Sequence, residues 1–199
     1  MLKRILFFLL LSCLGSTLRS QNKSEIDSLL TVISRAKNDS IKISNYNKIA
    51  WHYVFNDTSQ AKRYLQKSEK IALKNIKSYG YNEIMNLKGI MMEIKGETDS
   101  ATFYFKKTLE LSRKNRHKII EVRSINNLGM LNYNQGNYKN ALNYFLEGLK
   151  RNEILPDDKK IKNSIFYNNI GLIYQELNLN EKALYYHKKA YEDRKKTIS

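Results

Sequence analysis

Cysteine, proline and histidine are nearly missing from this chain of 199 residues, which holds one Cys, one Pro and three His. A single Cys excludes a disulfide framework and a cysteine-ligated zinc site. His52, His117 and His187 are too few and too scattered in sequence to supply a metal centre or a nucleophile–base–orienter set. Acidic residues fall short of basic ones, 19 against 35. After residue 20 no apolar run approaches the roughly 20 residues that a membrane-spanning helix needs, and strand-like alternation is missing as well. What remains is 42% apolar residues against 27% charged ones, enough to bury a core, in about one domain's length of chain. These absences predict a protein that is not an enzyme, with no metal and no cofactor.

The first twenty residues stand apart from the rest. Lys3 and Arg4 precede the apolar run Ile5 to Leu11, small and polar residues come next, and no acidic residue occurs before Ser20. That order is the layout of a secretory signal peptide. Cleavage is expected after Ser20, before Gln21, which would place the mature chain outside the cytoplasm, in the periplasm or cell envelope. Two other readings stay open: an anchor that is retained, or a lipoprotein in which Leu10-Leu11-Ser12-Cys13 serves as the lipobox and Cys13 carries the lipid. Removing the leader subtracts Lys3, Arg4 and Arg19, leaving 32 basic residues against 19 acidic and a net charge of +13.

From Ser24 onward the apolar spacing is helical, and Gly or Asn interrupts it about every twenty residues. The segments repeat. Tyr46-x2-Ile49-Ala50 corresponds to Met85-x2-Lys88-Gly89, to Ile125-x2-Leu128-Gly129 and to Tyr167-x2-Ile170-Gly171, at steps of 39, 40 and 42 residues. A second helix follows each, marked by Ala61, Ala101, Ala141 and Ala183, with Leu65, Phe105, Phe145 and His187 four residues further on. Asn56, Gly96, Gly136 and Asn178 suit the left-handed close of the first helices, and Thr58, Asp99, Asn137 and Asn180 are the expected caps of the second. The Gly residues are expected to meet the Ala residues where the helices cross. Pro156 falls in the longest loop, where it breaks no helix. The organisation read from this pattern is a leader (1–20), a capping helix (21–38) and four helix pairs (39–77, 78–114, 115–156 and 157–199).

These residues resemble the tetratricopeptide signature W-x2-L-G-x2-Y…A-x3-F. The fourth unit nearly spells it, as Tyr167-x2-Ile170-Gly171-x2-Tyr174…Ala183-x3-His187. The period is nearer 40 than the usual 34, which is similar to the long-period subtype of kinesin light chains and bacterial signalling proteins. The resemblance implies an all-α fold, a right-handed α-solenoid of antiparallel helix pairs whose first helices line the concave side.

One Asn per repeat (Asn47, Asn86, Asn126 and Asn168) precedes the small residue by three positions. One turn on lie Trp51, Ile90, Met130 and Leu172, and a further turn on Val54, Glu93, Tyr133 and Gln175. An Asn amide offers donors and an acceptor that match a peptide backbone. In related arrays such ladders hold extended peptides, and the resemblance implies the same use here; the residues themselves leave open that these Asn only link neighbouring helices. The expected partner is thus a protein or extended peptide segment bound by a non-enzymatic scaffold. Arg123 and Lys48 are isolated, so a carboxylate clamp is not expected. The rival class is a polyanion site formed by lysines of the second helices, but these spread over solvent and no nucleic acid is expected as a partner. A further reading makes the chain a sensory module, or a truncated relative of a repeat-bearing histidine kinase or transcriptional regulator. Ala183, Ala190 and Tyr191 are expected to lie uncovered on the last helix and to mediate self-association.

The exported protein should begin at Gln21. Intact-mass measurement checks this; a start at Met1, or a lipid-modified Cys13, would select one of the other two readings.

Overall fold

The computed structural model describes residues 24–196; the expected leader lies outside them. Among the described residues there are nine α-helices and no strand. The described residues divide into two compact units, 24–75 and 76–196.

The first unit contains α1 (24–35), α2 (Asp39–Tyr53) and α3 (Thr58–Ala72). Ile26 and Ile33 of α1 bury themselves with Ile49 of α2, and Leu29, Leu30, Tyr46, Tyr53 and Tyr64 close around them. Asn38 caps α2, its side chain accepting from the Ser40 N–H at 2.7 Å. Asp57 caps α3 by accepting from the Gln60 N–H at 3.0 Å. That corrects the expectation of Thr58, because the carboxylate one residue earlier reaches the orphan amide first. Asn56 is also corrected: it does not take the left-handed conformation. The N–H groups of Asn56 and Asp57 both donate to the Tyr53 carbonyl, at 3.1 and 2.8 Å, so a right-handed turn delivers the chain to the Asp57 cap.

The second unit is a stack of three helix pairs: α4 (Tyr79–Ile94) with α5 (Thr98–Asn115), α6 (Lys118–Asn134) with α7 (Tyr138–Glu153), and α8 (Asn163–Glu176) with α9 (Asn180–Lys196). Gly96 and Gly136 adopt φ of 75° and Asn178 adopts 57°, as the turn residues predict. Arg116, at φ 60°, ends α5 in the same way without any sequence signal. Two caps differ from expectation. Asp99 lies inside the first turn of α5, behind the N-cap residue Glu97, where a negative charge is still favoured. Asn180 is the first residue of α9, and Asn137 takes the cap position of α7 without forming a side-chain bond.

Glycine meets an aromatic ring at each pair's crossing, not alanine as the sequence suggests. A Cβ on Gly89 would lie 2.5 Å from the Phe105 ring, one on Gly129 2.6 Å from Phe145, and one on Gly171 2.8 Å from His187. Phe105 and Phe145 are fully buried. The same device joins consecutive pairs, where Gly148 of α7 makes room for Phe166 of α8. Asn152 then fastens the loop that holds Pro156: its amide donates to the Ile161 carbonyl at 2.6 Å and accepts from the Ile161 N–H at 2.9 Å. Charge is also ordered between the pairs. Buried Glu121 receives Arg113 Nε at 3.2 Å and Arg151 Nη1 at 2.9 Å, and both arginines also hold Glu147. On α9, Ala183 and Ala190 are buried, so they do not meet solvent as expected; Leu184, Tyr185 and Tyr191 are its exposed large apolar residues, at 72%, 54% and 67%.

Two stability changes are expected from these contacts. Gly129→Ala should lower stability by about 1–3 kcal/mol, because a methyl group cannot occupy space held by the Phe145 ring. The loss should shrink when Phe145→Leu is already present, a coupling that a denaturant double-mutant cycle measures. Acid should also destabilise the fold through His117. Burial holds this imidazole below the ordinary histidine range, and Asn82 Nδ2 donates to its Nδ1 across 2.9 Å. A histidine whose folded pKa lies below its unfolded one, about 6.5, binds protons preferentially when unfolded, so stability is intact above that value and declines as pH falls beneath it. The urea midpoint should therefore drop between about pH 7.5 and 5.5, and His117→Gln should flatten that part of the profile.

Candidate functional site

In the second unit the first helices are neighbours in turn, α4 against α6 and α6 against α8, whereas the second helices meet one another less closely. The inner side of this stack is therefore lined by α4, α6 and α8. Helical periodicity brings Asn86, Asn126 and Asn168 onto that side, one per pair. The structure engages part of this row internally. Asn127 Nδ2 donates to Asn86 Oδ1 at 3.0 Å, and Asn169 Nδ2 donates to Asn126 Oδ1 at 3.3 Å. Asn127 and Asn169 are helix-linking positions that the repeat register did not single out. The signal was present as the doubled Asn126-Asn127 and Asn168-Asn169: one member of each pair faces along the row and the other reaches the preceding helix.

Asn86 is buried and serves chiefly as the acceptor of this link, while Asn126 and Asn168 remain half-exposed. Among the described residues, the Asn126 NH2 group and the whole Asn168 amide have no intramolecular partner. One turn further lie Ile90, Met130 and Leu172, each half-buried. Met130 and Tyr133 pack on the core beneath, formed by Val122, Phe145, Phe166 and Ile170. The Tyr133 hydroxyl donates to Glu176 at 3.3 Å, the Tyr138 hydroxyl donates to the other oxygen of that carboxylate at 3.2 Å, and burial with the carboxylate's charge raises the Tyr133 pKa. Glu93 accepts from Asn134 Nδ2 at 3.3 Å, and burial raises its carboxyl pKa. Gln175 is exposed. Arg123 faces Glu83 at 3.8 Å, so the guanidinium is occupied by a carboxylate of the chain itself.

The first unit places its residues differently. Asn47 is buried, and its Oδ1 accepts from the Ser68 hydroxyl at 2.7 Å, which ties α2 to α3. Val54 is fully buried, so it presents no surface and leaves the expected strip. Trp51 is half-exposed and meets Phe55 edge-on at 5.6 Å. The twelve residues of the expected strip therefore separate: Asn47, Asn86 and Val54 are taken up internally, Glu93 is held by Asn134, Trp51 belongs to the first unit, and Ile90, Asn126, Met130, Tyr133, Asn168, Leu172 and Gln175 form the strip of the second.

Among the described residues, no group of three or more His, Cys, Asp or Glu side chains is placed to hold a metal ion. No helix among them is long and apolar enough to cross a membrane. The histidines are separated, with His52 beside Glu25 at 3.1 Å, His117 beside Asn82 and His187 against Gly171.

Residues 121–196 match the family model described as tetratricopeptide repeat. Solved structures share the fold over nearly the whole chain. BtubC (BKLC) from P. vanneervenii is 18% identical with a TM-score of 0.69, covering 91% of this chain and 74% of that one. A signal transduction ATPase with numerous domains from Pyrococcus horikoshii, which carries a tetratricopeptide repeat sensor, is 25% identical with a TM-score of 0.68, covering 89% of this chain and 28% of that one. Aspartyl phosphate phosphatase F from Bacillus subtilis is 18% identical with a TM-score of 0.72, covering 90% of this chain and 50% of that one. No curated protein is significantly similar in sequence. Repeated Gly–aromatic crossings, first helices lying side by side and the match over residues 121–196 together support a tetratricopeptide-like helical repeat fold.

Proposed function

We propose that the chain is a non-catalytic scaffold, exported from the cytoplasm, that holds an extended peptide segment of a partner protein along α4, α6 and α8. The observation that carries this reading is the strip of the second unit. Asn126 and Asn168 offer unengaged amide groups one repeat apart, beside the half-exposed apolar row Ile90, Met130 and Leu172. Regularly spaced amides suit the regularly spaced C=O and N–H groups of an extended backbone, and the apolar row suits its alternate side chains. Internal Asn–Asn bonds hold adjacent helices in register, so the binding amides are positioned before a ligand arrives, which limits the ordering cost. Two copies would associate through the exposed Leu184 and Tyr191 of α9.

A sensory module is the second reading, favoured by the similarity to the signal transduction ATPase, whose repeats are described as a sensor. It differs in the consequence of binding and not in the face used. Polyanion binding fits less well. Several lysines lie over tyrosine rings, Lys189 over Tyr185 at 4.8 Å and Lys182 over Tyr174 at 5.5 Å, and none of these belongs to the inner strip.

Peptides selected by display on the purified chain should lose affinity about three- to tenfold with Asn168→Ala, since one backbone hydrogen bond contributes roughly 0.5–1.5 kcal/mol. Its melting temperature should stay at the parent value. Asn126→Ala should lower both affinity and melting temperature, because it also removes the acceptor of Asn169. Titration at two salt concentrations completes the test. A steep salt slope that responds to Lys188 and Lys189 variants, with no response at Asn168, would hand the case to polyanion binding.

A further inference from the structure

A second recess lies on another side of α6 from the peptide strip. A polar cleft of about 580 Å³ opens between α5 and α7, with Leu128 and Asn132 of α6 at its base. Its volume falls within the range of small-molecule sites, about 300–1,000 Å³. The repeat itself explains why the cleft exists. Moving 42 residues along the chain carries Asn132, Asn143, Tyr144 and Glu147 onto Tyr174, Tyr185, Tyr186 and Lys189. There the rings pack on one another: Tyr174 lies on Tyr186 at 5.5 Å, Tyr185 meets Tyr186 edge-on at 5.2 Å, and Lys189 covers Tyr185 at 4.8 Å. Between α5 and α7, asparagine stands where two of those rings would be, and the space stays open.

The lining has a definite chemical character. It holds one charge of each sign that is unpaired among the described residues, Asp99 and Lys106, and Glu147 is neutralised by Arg113 at 2.7 Å and Arg151 at 2.8 Å. The remaining polar groups are the amides of Asn132, Gln135, Asn140 and Asn143 and the Thr102 oxygen, while Tyr144 supplies an aromatic wall. The Thr102 hydroxyl donates to the Thr98 carbonyl at 2.9 Å, and Gln135 Oε1 accepts from Asn137 at 3.3 Å. Amides and hydroxyls both donate and accept. Asn140 and Asn143 have no partner among the described residues, and Asn132 directs its NH2 to the Leu128 carbonyl at 2.8 Å, leaving its oxygen as an acceptor. The recess of about 580 Å³ is bounded by residues of α5, α6, α7 and the α6–α7 turn alone, which suits a compact ligand.

From this geometry we infer that the α5–α7 cleft is a binding site for a neutral, hydroxyl-rich ligand, a short saccharide. Each sugar hydroxyl can donate to one lining group and accept from another, and the flatter C–H face of a pyranose ring suits the Tyr144 wall. The site is distinct from the peptide strip and does not depend on it.

The test titrates the purified ¹⁵N-labelled chain with chitotriose, cellotriose and maltotriose at millimolar concentration. At least one of them should shift the backbone and side-chain amide signals of Asn132, Asn140 and Asn143 and leave those of Asn126 and Asn168 in place. Combining Asn132→Tyr with Asn143→Tyr copies the ring packing seen around Tyr174 and Tyr185, and should weaken binding about tenfold or more. Asn143→Ala, which cannot disturb packing, should weaken it about three- to tenfold. Asn168→Ala should leave saccharide binding unchanged. No shift with any of the three sugars, equal shifts in the filled variant, or shifts produced in the cleft by display-selected peptides and by none of the sugars would each overturn the assignment.

Discussion

Everything in the second unit depends on a glycine of the first helix receiving an aromatic ring from the second. A ring seated 2.5–2.8 Å from where a Cβ would stand sets the distance and rotation of the two helices at once, because a close-packed interior admits no intermediate arrangement. With that crossing settled at Gly89, Gly129 and Gly171, the same face of each first helix turns inward, and a row of equivalent residues appears without further specification. Gly148 and Phe166 extend the principle from the pair to the join between pairs. A helical array is thereby defined by one recurring contact and its near-copy.

Polar groups supply what the apolar contacts leave undefined. The Asn127–Asn86 and Asn169–Asn126 bonds fix neighbouring first helices along their length, where apolar surfaces alone would tolerate sliding. Glu121, buried and held by Arg113 and Arg151, performs a similar service among α5, α6 and α7. A buried carboxylate of this kind is costly unless its partners remain, so it contributes less to net stability than to the uniqueness of the arrangement. Lysine ammonium groups over Tyr64, Tyr104, Tyr174 and Tyr185 show how a basic exterior can cover aromatic surface.

The helix pairs were legible because Gly, Ala and the ring position recur at a nearly constant period, and periodicity survives even when individual residues drift, as Lys88 and His187 do. Helix ends were read less well. Asn56 and Asn178 are chemically identical at equivalent positions, yet only Asn178 turns left-handed, because Asp57 provides a competing cap one residue away. The site lay between these extremes. Register placed Asn126 and Asn168 on the inner side of the stack, but it could not tell that Asn47 would be claimed by Ser68 or Asn86 by Asn127, since those partners are 21 and 41 residues distant in sequence. The α5–α7 cleft was wholly illegible, being made by what two asparagines fail to fill.

His187 has one further consequence. It takes the place that phenylalanine holds at the two preceding crossings, with an imidazole that is smaller, polar and half-exposed. Contacts in such a stack run only between neighbours, so local opening free energies are set crossing by crossing. A smaller ring at this crossing would lower the local opening free energy of the α8–α9 pair, and amide hydrogen exchange there would then run ahead of exchange in α4 to α7. Opening would then start at that end of the second unit, and the inner strip would lose Asn168 and Leu172 before Ile90 or Met130.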